Sequence, residues 1–341
     1  MKTHPLERYS RQVLYRGIGE AGQRRLLASQ VALVGCGALG TQQASLLVRA
    51  GVGRLRIIDR DYVEESNLQR QTLFDEQDAA QCLPKAVAAQ THLQRANSSV
   101  EVQGMVDDLT PQNARELLGG AEVILDGTDN FETRYLLNDF CVQNGVPWIY
   151  GAAVGSYGVT LTIVPGQGPC LACLFPEPPA GLQATCDTEG ILGAAASAVA
   201  SLQVAEALKL LVGAPPGRKL VSLDVWENRF QSVDPGPPAE GCRACQRRDF
   251  TYLAGERAAQ VILCGRDAVQ IHAREERRSP LDFAELERRL KPHGAVRCNA
   301  FVLQFSAAPY EMTVFADGRT IVKGTTDAAV ARSLYARYIS A

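Results

Sequence analysis

Two cysteine pairs and one glycine turn are the residues whose types and spacing could do chemistry in this chain. Cys170 and Cys173 stand in "PCLAC", Cys242 and Cys245 in "GCRAC". Two C-x-x-C turns offer four thiolates, the donor set of a closed tetrahedral Zn²⁺ site. The pairs lie about 70 residues apart, far from local zinc-finger spacing, so a shared metal would staple a Pro-rich loop to the end of a large domain. Either pair alone could be redox-active, but neither adjoins a helix pattern of thioredoxin type.

The glycine turn is "VALVGCGALG", Val31–Gly40. Its apolar run reads as a buried parallel strand. Gly35, Gly37 and Gly40 then supply a tight turn, close approach of backbone to phosphate, and close packing of the next helix. This fixes phosphate geometry and not the chemistry, since NAD and ATP both suit it. Asp59, about 20 residues beyond Gly40, is placed for the ribose hydroxyls of either nucleotide. The next residues separate the two. Asn67, Arg70 and Gln71 follow, and Lys85 opens a helix. Two cations and an amide beside a phosphate turn suit a triphosphate, whose charge must be neutralised as pyrophosphate departs. A redox enzyme needs no such cluster. Taken singly, Arg70 and Lys85 read as surface charges; their placement after Asp59 argues for function. Asp129, in "DGTDN", is placed beyond a strand end to hold Mg²⁺ against phosphate oxygens. Taken by itself it reads first as a helix cap, as do Thr128 and Asn130.

Positioning these residues requires alternating elements. Strand candidates are Val31–Val34, Leu55–Asp59, Val100–Val106, Val123–Asp126 and Trp148–Gly151, with helices opening near Ala38, Lys85, Pro111 and Phe131. The alternation predicts an α/β fold, a Rossmann-like, mostly parallel sheet with helices on both faces and ligands beyond the carboxyl ends of its strands. From Tyr157 the pattern changes. Tyr157–Val164 alternates like a half-exposed strand, and a long Pro/Gly-rich loop then carries the first cysteine pair and Cys186. The run Ile191–Val212, interrupted by Ser197, Ser201, Gln203, Glu206 and Lys209, predicts a core helix rather than a membrane span. Strand-like runs follow around Leu220–Val225 and Asn228–Val233.

The chain thus reads as a large ATP-binding domain over 1–249 and a small α+β module over 250–341. The module contains Phe301–Ala307 and a hairpin, Tyr310–Gly324, turned at Asp317-Gly318. A final helix is expected over Asp327–Tyr338, capped by Thr325 or Thr326 and packed through Ala328, Val330, Leu334 and Tyr338.

With 341 residues, 46% of them hydrophobic, and a net charge of −2, the chain suits a soluble protein. Nothing in the charge calls for nucleic acid or an acidic membrane. "MKTHPLERYSRQ" has no apolar signal core, so a cytoplasmic location is expected. Ten cysteines in a chain this large suit metal or thiol chemistry better than a secreted disulfide framework. Cys36, Cys82, Cys141, Cys264 and Cys298 read as core or near-core, as do Trp148 and Trp226. The four histidines are scattered and carry no assignment.

"RYSRQ" (Arg8–Gln12), "GCGALG", "DRDYVEESNLQRQ", "PKA" (Pro84–Ala86) and "DGTDN" occur in one order. Together they resemble the ThiF/MoeB family of adenylyltransferases, relatives of the ubiquitin-activating enzymes, over roughly the first 250 residues. The resemblance implies that ATP activates the C-terminal glycine of a ubiquitin-like sulfur carrier ending in Gly-Gly. The carrier would serve thiazole (thiamine) synthesis, favoured here, or molybdopterin synthesis. It puts Asp59 on the ribose, Asn67, Arg70 and Lys85 on the phosphates, and Asp129 on Mg²⁺. Arg11 would reach the ATP of a neighbouring subunit, so a homodimer is implied, and Zn²⁺ would occupy the four cysteines. At the place of Cys186, a family cysteine can bond to the carrier or take part in sulfur transfer; by itself Cys186 is a loop thiol before a helix. A sulfur donor such as a cysteine desulfurase is a further implied partner. One departure is Cys82, where the family often has glycine three residues before this lysine. The C-terminal module resembles an extension found on some ThiF-like proteins, where docking a partner and lending stability are both open.

Three other readings stay in view. A tRNA-modifying dehydratase of the same superfamily is opposed by the two C-x-x-C pairs and by the absence of an evident basic patch. An NAD-dependent oxidoreductase is opposed by Arg70, Lys85 and Asp129. A non-catalytic carrier-binding scaffold would keep the fold without turning over ATP.

Overall fold

The apolar run before the glycine turn forms strand β1 (Gln30–Val34), buried from Val31 onward. Around it stand β2 (Arg54–Ile58), β3 (Glu101–Met105), β4 (Val123–Asp126) and β5 (Trp148–Val154). Then come β6 (Tyr157–Ile163), β7 (Leu220–Asp224) and β8 (Arg229–Val233). They make one sheet in the order β3-β2-β1-β4-β5-β6-β7-β8. The pairs from β3 to β5 are parallel and those from β5 to β8 antiparallel. Val34 lies level with Ile58 on one side and Asp126 on the other. Three strand ends therefore open into one crevice, at the point where the strand order reverses. The α/β fold with a mostly parallel sheet is the one the alternation predicted.

The structure, a computed structural model, describes residues 6–178, 189–256, 262–263, 268–271, 281–316 and 318–339. Cys186, Cys264, Asp317 and two of the histidines, His4 and His272, lie outside them. The chain falls into two compact units, Met1–Ala80 with Pro84–Ala258, and Ala259–Ala341 with Gln81–Leu83.

In the first unit the helices are α1 (Ser10–Val13), α2 (Gly19–Ala28), α3 (Ala38–Ala50), α4 (Glu76–Ala80) and α5 (Lys85–Ala96). They continue with α6 (Ala114–Leu118), α7 (Phe131–Asn144), α8 (Leu171–Leu174) and α9 (Gly193–Val212). By length and composition α9 could cross a membrane. Here it packs on α3, β5 and β6. Its face of Ala195, Ala196, Val199, Ala200 and Ala207 lets it lie close to the strands, and a Cβ at Gly158 of β6 would stand 2.2 Å from Val199. Its one fully buried polar side chain, Gln203, donates to the carbonyls of Asp126 and Ile149 at 2.9 and 3.0 Å.

That packing corrects one expectation. β6 is not half-exposed but buried over Thr160–Ile163, because it is an interior strand covered by α9. Trp148 is fully buried, as expected, whereas Trp226 is 73% exposed, in the turn between β7 and β8. Cys36 and Cys141 are buried and Cys82 partly so, but Cys298 is exposed on a short strand.

Among the described residues the second unit holds a six-stranded antiparallel sheet. Its strands are β9 (Ile262–Leu263), β10 (Ala268–Ile271), β11 (Ala295–Cys298), β12 (Val302–Ala307), β13 (Tyr310–Phe315) and β14 (Thr320–Lys323). Their order is β11-β12-β13-β14-β10-β9. Helices α10 (Phe283–Leu290) and α11 (Ala328–Tyr338) bury Leu286, Leu290 and Ala331 against Leu303, Phe305, Met312 and Val314. The cap of α11 is Asp327, which accepts from the N–H groups of Ala329 and Val330, and not Thr325 or Thr326. Its packing stripe runs through Ala328, Ala331, Leu334 and Tyr338, so Ala331 takes the place expected of Val330.

Candidate active site

The three glycines of the turn have three different reasons to be glycine. Gly35 has φ +87°, and a Cβ there would stand 2.6 Å from the Gly127 carbonyl. A Cβ at Gly40 would stand 2.0 Å from the Gly35 carbonyl, so α3 lies too close to the turn for any side chain. At Gly37 the space is open: the nearest atom to a Cβ there is Nε2 of Gln71, at 3.9 Å. Gly37 is also the N-cap of α3 and offers no side-chain cap, so among the described residues no capping side chain takes the first amides of this helix, at the carboxyl ends of the strands. Amides and dipole together favour an anion there. We expect Gly37→Ala to leave the thermal midpoint within about 2 °C of wild type while raising KM for a nucleotide roughly tenfold. Gly40→Ala should lower the midpoint by about 3–10 °C through overpacking. Thermal melts and steady-state kinetics on the two variants check both.

Asp59 stands immediately beyond β2 and is buried. Its carboxylate accepts from the backbone N–H of Cys36 inside the glycine turn and, at 2.7 Å, from that of Asp61. Burial pushes this carboxyl above its usual range, and Lys85 nearby pulls it back toward the charged form. Lys85, the first residue of α5, is 3% exposed and reaches Oδ2 of Asp61 at 3.2 Å. Burial raises the Cys36 thiol well above its ordinary value, which removes it as a nucleophile. Asn67, Arg70 and Gln71 share one turn: the N–H groups of Arg70 and Gln71 both donate to the Asn67 carbonyl, at 3.1 and 2.9 Å. Arg70 donates to the Ser66 carbonyl at 2.8 Å. Gln71 is buried, with Nε2 toward Gly37 and Oε1 without a partner among the described residues.

The hydrogen bonds show which of residues 128–130 caps the helix that follows. Asn130 caps α7, accepting from the Thr133 N–H at 2.8 Å. Thr128 is turned back onto Asp126, donating to it from N–H at 2.9 Å and from Oγ1 at 2.6 Å. Asp129 is left exposed between them. The turn that presents it rests on a buried ion pair the sequence reading missed. Arg134 on α7 donates to Asp126 at 3.0 Å, to the Thr128 carbonyl at 2.7 Å and to the Gly151 carbonyl at 3.0 Å. Arg60, between Asp59 and Asp61, was also missed; it pairs with Asp108 at 2.7 Å.

Arg11 makes no hydrogen bond to any of these residues. Its neighbours are anchors: Tyr9 is buried and receives a bond from Asn97 at 2.8 Å, and Gln12 donates to Gln23 and to the Ala50 carbonyl. Arg11 itself is exposed, beside Leu14 and Tyr15, which are 73% and 65% exposed.

The four cysteines of the two pairs do come together. Their sulfurs all lie within 4.8 Å of one another. Cys170 is 3.8 Å from Cys173 and 3.7 Å from Cys242, and Cys173 is 3.4 Å from Cys245. Disulfide sulfurs would be about 2.05 Å apart. Four thiolates about 2.3 Å from one Zn²⁺ in a tetrahedron are about 3.8 Å from each other, so this donor set and spacing fit the ion. Within the cluster, the bond with Cys170 holds the Cys173 thiol below its usual range, while the bond with Cys173 and burial raise Cys170, and burial raises Cys245.

Comparison with known proteins adds a family and relatives. A sequence model of the ThiF family matches residues 9–244. The chain is 44% identical over 335 residues to a sulfur carrier protein ThiS adenylyltransferase of Bacillus subtilis, covering 97% of this chain and 99% of that one. It is 39% identical over 261 residues to a sulfur carrier protein adenylyltransferase of Thermus thermophilus, 73% of this chain and 96% of that protein. It is 37% identical to an adenylyltransferase and sulfurtransferase MOCS3 of Sus scrofa, over 84% of this chain and 64% of the other. Among solved structures it is similar to E. coli MccB crystallised with ATP, with a TM-score of 0.61 at 23% identity over 70% of this chain and 74% of that one. That likeness speaks for the fold.

Proposed function

The chain belongs to the ThiF family and is an adenylyltransferase, and from that premise we propose that it adenylylates the C-terminal glycine of a ubiquitin-like sulfur carrier, of the kind serving thiamine synthesis. The observation that carries the reading is the crevice itself: an uncapped glycine turn, a carboxylate, a buried lysine and an exposed Asp129 ring the carboxyl ends of neighbouring strands. The near full-length likeness to the Bacillus subtilis enzyme favours the thiamine branch over the molybdopterin branch.

In this reading ATP is the substrate. Asp59 takes the ribose hydroxyls, and the amides at the start of α3 take phosphate oxygens. Asn67, Gln71, Arg70 and Lys85 surround the remaining phosphate charge. Asp129 would hold Mg²⁺, which when bound would neutralise charge on the phosphates. The carrier's terminal carboxylate attacks the α-phosphorus. A carboxylate C–O–P bond forms, the bond from the α-phosphorus to the bridging oxygen breaks, and pyrophosphate leaves with that oxygen and its electron pair. The nucleophile arrives already ionised, so no general base is required, and positioning with charge stabilisation suffices. This agrees with a crevice built of cations and carboxylates.

Two further parts belong to the proposal. Exposed Arg11, Leu14 and Tyr15 suit a second copy of the chain, with Arg11 reaching that copy's ATP, so the active form is a homodimer. The four-cysteine cluster suits structural Zn²⁺, and its reduced thiols suit a cytoplasmic location. Cys186 and a sulfur donor such as a cysteine desulfurase would act after adenylation.

ATP–pyrophosphate exchange tests the proposal, with thiamine-type and molybdopterin-type carriers supplied separately. The expected result is exchange with the thiamine-type carrier, lost when its terminal glycine is deleted. Absence of exchange with either, from folded and metal-loaded protein that binds a carrier, would overturn it in favour of a scaffold.

A further inference from the structure

Helix α7 holds both cysteine turns through two consecutive side chains. Asn138 is fully buried. Its Oδ1 accepts the backbone N–H of Leu171 at 2.9 Å, at the start of the single-turn helix α8, which Cys170 precedes and which contains Cys173. An N–H must meet the amide oxygen, so the orientation of the amide is fixed and Nδ2 faces sulfur: it donates to Sγ of Cys170 at 3.7 Å. Asp139, also fully buried, receives both arms of Arg243, at 2.9 and 3.0 Å, and the Tyr252 N–H at 3.1 Å. Arg243 lies inside the second pair, between Cys242 and Cys245. It also bonds the Asp249 carbonyl at 2.8 Å and sits 5.2 Å from the Tyr252 ring. Neighbouring positions on one helix thus grip the two halves of the donor set, one through each turn.

We propose that Asn138 and the Asp139–Arg243 pair are positioning residues of the thiolate site, which set how long it keeps its metal. The inference rests on the Zn²⁺ reading above. Thiolates carry more charge than one divalent cation removes, and an N–H donated to sulfur stabilises that excess. Asn138 supplies such a bond to Cys170 and by its other end keeps the Cys170–Cys173 turn in place. The forked Arg243–Asp139 pair keeps the Cys242–Cys245 turn facing it. Neither group touches the nucleotide crevice residues described above, so the effect is on the metal.

The test is the rate at which the purified, zinc-loaded full chain gives up its metal to a chromogenic chelator. The absorption of the cobalt-substituted protein serves as a second readout. Asn138→Asp keeps the size and the acceptor for Leu171 but faces Cys170 with an oxygen. Arg243→Lys keeps the charge opposite Asp139 but loses the fork. Each is expected to speed release at least about tenfold, the size of effect typical of groups behind metal ligands, and Asn138→Asp should shift the cobalt–thiolate band. A purely structural role would lower the melting temperature without moving that band. Release within about twofold of wild type from both folded variants would overturn the inference, and if Asn138→Asp does not fold, Arg243→Lys decides it alone. Wild-type protein that takes up no zinc or cobalt would instead overturn the metal reading itself.

Discussion

Asp129→Ala should lower carrier-dependent ATP–pyrophosphate exchange by about a thousandfold, while the thermal midpoint stays within about 2 °C of wild type. Both halves follow from the division of work between neighbours. Asn130 makes the capping bond of α7 and Thr128 turns inward to Asp126, so removing the exposed Asp129 side chain costs the fold no hydrogen bond described there. In the proposed role its loss would fall on phosphate charge, where each preorganised group accounts for about two to three powers of ten. Asn130→Ala should do the converse, costing about 1 kcal/mol of stability with a far smaller effect on exchange. Exchange within about threefold of wild type in Asp129→Ala would remove this carboxylate from the reaction.

Arg134→Met should destabilise the first unit by about 3–5 kcal/mol, read from denaturant midpoints. The side chain of Asp126 is fully inaccessible, and the Arg134 guanidinium neutralises it from 3.0 Å. Methionine fills most of the volume but leaves a carboxylate buried without its cation, which is the costly way to break such a pair. It also frees the carbonyls of Thr128 and Gly151, both of which Arg134 binds. The turn that presents Asp129 then loses its brace, so exchange should fall as well, through kcat more than through KM for ATP. A loss of stability below about 1 kcal/mol would mean that water or another group satisfies Asp126 when Arg134 is gone.

The interior strands β1 and β4 were legible because each is an apolar run ended by a polar or glycine turn, and burial on both faces demands that pattern, whereas the edge strand β3 buries only Val102. The roles of Gly35 and Gly40 follow from the same spacing. The residues on α7 were not legible. Thr128, Asp129 and Asn130 are all good caps, and only the bond from Thr133 shows which one is used. Arg134, Asn138 and Asp139 lie on a helix buried along most of its length, so no apolar stripe marks its inner face. The available signal was the conflict itself: three strongly polar residues mid-helix, flanked by Tyr135, Leu136, Leu137 and Phe140, must be buried with partners. Trp226 was misplaced because size and aromaticity suggest burial, while its position is a hairpin turn at a sheet edge. In the second unit β10 and β11 were missed because each is only four residues long and neither adjoins a turn signal such as the Asp317-Gly318 pair that marked β14.

The cysteine cluster joins positions 72 apart in the chain, Cys170 to Cys242. Within that interval lie α9, β7 and β8, including the Gln203 amide that reaches the carbonyls of β4 and β5. A metal at the four sulfurs would therefore act on the unfolded chain as well as on the folded one, closing a ring whose loss of freedom corresponds to about 4 kcal/mol in the chain-entropy account of cross-links. It would also impose an order on biosynthesis. The ring cannot close until Cys245 has left the ribosome, after the whole of α9 is made, so any docking of that helix on the sheet before that moment takes place in an open chain.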